Sequence, residues 1–120
     1  NVAGNITIVD GEDSLPFPIK RIYYLYDVPG SEERGGHGHK ELYQLIVAAS
    51  GSFTITLYDG NIKRSFMLKH PNYGLMVIPG IWRELTDFSS GSVCLVLASQ
   101  QYEESDYIRD FDEFKQYKKK

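Results

Sequence analysis

Short runs of alternating apolar and polar residues, each closed by a Gly, Pro or Asp-Gly signal, fill most of this chain of 120 residues. A period of two marks strands, and turns at about 8–12-residue intervals point to an all-β sandwich or barrel. Strand signals cover residues 4–9, 19–26, 41–49, 52–58, 62–68, 74–78 and 92–98, with a shorter one over 83–88. Turn residues at 10–13, Pro29-Gly30 and Gly51 separate them. Asp59-Gly60 predicts a tight hairpin, because a primed turn needs positive φ at both central positions. From Ser105, read as an N-cap, Tyr107, Ile108, Phe111, Phe114 and Tyr117 fall at helical spacing, predicting one helix over about 105–118. The expected whole is a single domain over 1–120, a β-barrel with one C-terminal helix.

Charge and cysteine content narrow the function classes. Thirteen basic against sixteen acidic side chains give a net charge of -3, which removes the electrostatic case for nucleic acid. No apolar run approaches the roughly 20 residues of a membrane span, and no basic-then-apolar leader opens the chain. The start at Asn1 rather than Met reads as trimming. A lone cysteine, Cys94, cannot close an internal disulfide, so a cytoplasmic setting is expected, with Cys94 as a small buried hydrophobe.

Chemistry concentrates in Arg34-Gly35-Gly36-His37-Gly38-His39-Lys40. Two histidines two apart on a strand present both imidazoles on one face. The glycines around them are read as admitting a ligand close to the backbone. His-x-His followed by a strand, a glycine bend and a hairpin resembles the first motif of the cupin barrels. In that family a glutamate follows, and a later histidine comes after a Pro and Gly. Here Gln44 stands for the glutamate, and Pro79-Gly80-Ile81-Trp82-Arg83-Glu84 offers a cation instead of a histidine. Two imidazoles, a neutral amide and a guanidinium make a poor divalent-metal site. His37 and His39 are therefore read as acid–base groups titrating near pH 6.5, with no metal and no cofactor expected.

The string Arg-Gly-x-His-x-His-Lys-Glu-Leu, together with residues 81–85, 102–114 and 19–29, resembles the nucleotide-sugar 3,4-ketoisomerases, the WxcM-like cupins. The resemblance implies a jelly-roll fold, a dTDP-linked 4-keto-6-deoxyhexose substrate and no metal. It also implies a homodimer exchanging N-terminal strands, serving deoxyaminosugar and surface-polysaccharide synthesis. On this reading His39 carries a proton between C3 and C4, His37 serves the sugar oxygens, and Tyr23 donates to a developing oxyanion. Arg34 grips the diphosphate, and Arg83 contacts sugar or phosphate. Trp82 stacks on the base or closes the barrel mouth, while Lys40, Gln44 and Tyr102 are further substrate-binding candidates. Ala3 departs from the arginine common in the family's opening, near the sugar in some members. Three alternatives stay open: a 3,5-epimerase of the same sugar nucleotides, a sugar-binding cupin without turnover, and a metal-dependent dioxygenase or isomerase.

Overall fold

The computed structural model describes residues 3–9 and 15–119. Two antiparallel sheets face each other. The first runs in the order β1 (Arg21–Tyr26), β8 (Val93–Ala98), β3 (Gln44–Ser50), β6 (Gly74–Val77). The second runs β5 (Lys63–Leu68), β4 (Phe53–Tyr58), β7 (Trp82–Thr86), β2 (Arg34–His39), β9 (Tyr107–Ile108), and a helix, α1 (Phe111–Lys118), follows. This is the all-β fold with a C-terminal helix that the alternation predicts, in the jelly-roll form that the resemblance implies.

Each strand sends alternate residues inward, and Ile46, Ala48, Phe53, Ile55, Leu85, Cys94 and Val96 form the core between the sheets. On β7 the inward pair is Arg83 and Leu85, so Trp82 faces outward. It packs there with Ile108 and Phe114 beneath α1. His37 lies directly across from Arg83 on the paired strand, so both imidazoles point inward and Gly36 and Gly38 point out. A Cβ on Gly38 would lie 3.0 Å from Phe114. That glycine makes room for the helix rather than for a ligand, which corrects the sequence reading.

Further differences concern single segments. Residues 4–9 form no strand; they are exposed, with Ile6 and Ile8 among the most open apolar side chains, and among the described residues no sheet edge pairs with them. The turn expected at residues 10–13 lies outside the described residues. The β4–β5 hairpin has a four-residue loop, because Asp59 accepts from Asn61 and Ile62 backbone N–H groups and only Gly60 takes positive φ. The helix begins at Phe111, capped by Asp110 accepting from Glu113 N at 3.0 Å, not at Ser105. Residues 104–106 form one 3-10 turn, and 107–108 join β2 as β9. Gly51 takes φ +67 in the bend between β3 and β4, where a Cβ would fall 2.8 Å from Ser92 Cα. Among the described residues no helix is long and apolar enough to cross a membrane.

Candidate active site

Strand β1 alternates so that Arg21, Tyr23 and Leu25 turn inward and Ile22, Tyr24 and Tyr26 outward. The three inward side chains meet Arg34, Gly36 and His37 of β2, Arg83 of β7, and Tyr107 and Arg109 around a cavity of about 330 Å³. Among the described residues, four guanidinium groups and no carboxylate line it. Arg109 is held by a bidentate pair to Glu104 at 2.8 and 2.9 Å, and its guanidinium lies 4.1 Å from the Tyr107 ring centroid. The cavity is built for an anion.

The two imidazoles stand edge to face, 4.8 Å between centroids. His37 borders the cavity, and His39 lies deeper. Tyr107 covers both, at 5.0 Å from His37 and 4.3 Å from His39. His39 Nδ1 bonds Asp106 Oδ2 at 2.9 Å. The carboxylate can only accept, so the proton is on Nδ1. The Nε2 atoms of His37 and His39 are buried without a hydrogen-bond partner. Burial, and then the Arg83 cation, push His37 down to about 2. Burial pushes His39 down to about 4 against the raising effect of Asp106. Both rings are thus neutral at pH 7, where the sequence reading had them titrating near 6.5.

Arg83 is almost fully buried, and its Nη2 donates to the Tyr23 hydroxyl at 2.9 Å. Gln44 Nε2 donates to the same oxygen at 3.1 Å. Gln44 therefore acts on Tyr23 from behind the cavity wall. Among the described residues no three His, Cys, Asp or Glu side chains gather as metal ligands.

The structure brings His37, His39, Tyr23, Arg34 and Arg83 together as the sequence suggested. It separates the rest. Trp82 sits under α1, 5.2 Å from Phe111, outside the cavity lining. Lys40 and Tyr102 line a second, open cleft of about 570 Å³ with Lys20, Glu41 and Asp106. Tyr102 donates its hydroxyl to Glu104 and stacks near Tyr107. His70 is exposed beside Tyr73. Cys94 is fully buried, which pushes its thiol up to about 11.

Four site residues escaped the sequence reading: Arg21, Asp106, Tyr107 and Arg109. The β1 alternation that selected Tyr23 also selects Arg21. Asp106, Tyr107 and Arg109 were absorbed into the helix pattern.

Residues 1–119 match the family model described as FdtA: WxcM-like, C-terminal. A TDP-4-oxo-6-deoxy-α-D-glucose-3,4-oxoisomerase of Aneurinibacillus thermoaerophilus is 46% identical over 114 residues, 95% of this chain and 82% of that protein. A 3,4-ketoisomerase from Helicobacter canadensis has a crystal structure similar at a TM-score of 0.97, with 42% identity over 100% of this chain and 90% of that one. A point variant of QdtA, a 3,4-ketoisomerase from Thermoanaerobacterium thermosaccharolyticum crystallised with TDP-4-keto-6-deoxyglucose, gives a TM-score of 0.97 and 39% identity over 99% and 86% of the two chains.

Proposed function

Because this chain belongs to the WxcM-like FdtA family, we propose that it is an isomerase moving the ketone of a TDP-linked 4-keto-6-deoxyhexose from C4 to C3. The observation that carries the reading is the pairing of two neutral, buried imidazoles with a cavity whose charged groups, among the described residues, are all arginines. A nucleoside diphosphate supplies the anion those guanidiniums require, and the sugar ring extends toward the histidines.

His39 Nε2 removes the C3 proton, which the neighbouring C4 carbonyl acidifies. The C–H electrons form an enediolate with its charge on O4. Tyr23 meets that charge: its oxygen already accepts from Arg83 and Gln44, so its O–H is free for O4, and the Arg83 cation lies directly behind. His37 takes the O3 proton and returns one to O4. Protonation of C4 by His39 then leaves the ketone at C3. Atoms and charge balance without an external oxidant or reductant. Both Nε2 atoms are buried and both imidazoles pack against Tyr107, so that ring gives way as the sugar enters. Arg34 and Arg109 hold the diphosphate.

The reading includes a homodimer in which residues 4–9 pair with a second copy. Exposed Ile6 and Ile8, and the open apolar face of Ile22, Tyr24 and Tyr26 on an edge strand, support it. A 3-keto product suits an aminotransferase of deoxyaminosugar synthesis in the cytoplasm. Incubation with TDP-4-keto-6-deoxyglucose tests the activity. A 3-keto sugar supports it, inversion at C5 would instead mark an epimerase, and binding without turnover would leave a sugar-binding module.

A further inference from the structure

Asp106 occupies a place that the helical pattern of the sequence does not foresee. Instead of starting α1, residues 104–106 form a 3-10 turn whose last residue is driven inward and is 6% exposed. Four hydrogen bonds fasten it. Its N–H donates to Glu103 O at 3.1 Å, and its carbonyl accepts from Lys40 N at 3.0 Å. Its Oδ1 accepts from Glu41 N at 2.7 Å, and its Oδ2 accepts from His39 Nδ1 at 2.9 Å. The register of β9 against β2, with Tyr107 opposite His39, continues the same clamp.

We infer that Asp106 is a positioning residue for the isomerisation proposed above, holding His39 in the tautomer whose bare Nε2 faces the reacting carbons. The inference rests on that functional reading and adds the group that selects the base. The two oxygens of Asp106 are not equivalent in their obligations. Glu41 N–H requires an acceptor at Oδ1, and His39 supplies a donor to Oδ2. An amide cannot satisfy the same pair. In Asp106→Asn the side-chain oxygen stays with Glu41 N–H, which turns the NH₂ group toward His39 Nδ1. Nδ1 then becomes the acceptor and the proton moves to Nε2. The ring keeps its place, yet the atom that must receive the C3 proton already carries one. A wrong-tautomer change of this kind in another enzyme's His–Asp pair costs about 10⁴-fold in kcat.

The test is ¹⁵N NMR of the histidine side chains in the wild type and in Asp106→Asn, combined with turnover of TDP-4-keto-6-deoxyglucose and TDP binding. The wild type should show His39 as the Nδ1–H tautomer, and the variant should show Nε2–H. Turnover should fall by about 10³-fold or more, with TDP affinity changed less than about threefold. Turnover above a tenth of the wild-type rate, or a His39 tautomer unchanged by the substitution, overturns the inference. Should the variant not fold, the wild-type spectrum decides, because an Nε2–H tautomer at His39 contradicts the assignment. A tautomer that changes from wild type to Asp106→Asn as described, in a wild type that leaves the sugar unchanged, would overturn the ketoisomerase reading and bear out the hold of Asp106 on His39.

Discussion

Arg83 of β7 donates to the hydroxyl of Tyr23 on β1 at 2.9 Å, a bond that crosses from one sheet to the other through the barrel interior. Nε and Nη1 of the same guanidinium are buried with no hydrogen-bond partner. A buried cation so thinly satisfied waits for an anion. Tyr23→Phe removes both the link and the proposed donor to O4. We expect kcat to fall about 100-fold, the scale of losing one oxyanion donor. The fold should lose about 1–3 kcal/mol as Arg83 loses its bond to Tyr23. Steady-state kinetics and thermal unfolding check the two parts separately.

The buried imidazoles make the fold sensitive to acid. In the unfolded chain both titrate near 6.5, while the folded values are about 2 for His37 and about 4 for His39. Below about pH 6.5 the unfolded state therefore binds protons that the folded state refuses. The stabilisation is complete above pH 6.5 and is lost as pH falls toward those lower values. Each ring contributes a slope of about 1.4 kcal/mol per pH unit in that window. Unfolding midpoints should be level between pH 7 and 8 and drop steeply below 6. In the double variant His37→Asn, His39→Asn that drop should be visibly shallower.

Diphosphate recognition should separate the two clefts. Arg34→Ala and Arg109→Ala each remove a guanidinium from the anionic cavity, and TDP affinity should weaken about 10- to 100-fold. Lys40→Ala alters the other cleft and should change TDP affinity less than about twofold. Calorimetry with TDP alone measures this, and binding should also weaken as salt rises.

Chelation should have no effect. With Gln44 in place of the glutamate of the cupin pattern and the Arg83 cation instead of its later histidine, dialysis against EDTA should leave turnover unchanged. Loss of activity restored by a divalent cation would revive the metal-dependent alternative.

Much of this architecture could be read from local pattern. Alternation along 21–26 puts Tyr23 on one face with Arg21 and Leu25, and the His-x-His spacing puts His37 and His39 on one face, because successive strand residues point to opposite sides. What stayed hidden was decided at a distance. Apolar spacing from Tyr107 to Phe114 is helical in sequence, but the bonds of Asp106 to His39 and Glu41 drew 104–108 away from the helix. Trp82 sits one residue from Arg83, and only the β2–β7 register decided which of the two faced the cavity. The imidazoles' neutrality follows from burial, which no spacing of residues encodes.

The central claim is that His39 moves hydrogen between adjacent carbons of a bound keto sugar. Incubation of the protein with TDP-4-keto-6-deoxyglucose in deuterium oxide, followed by ¹H and ¹³C NMR, tests it most directly. Transfer by His39 yields a 3-keto product with deuterium at C4 wherever the transferred proton exchanges with solvent, and no product from His39→Asn. A 3-keto sugar formed equally fast by His39→Asn, or label entering C5 with the ketone still at C4, would contradict it.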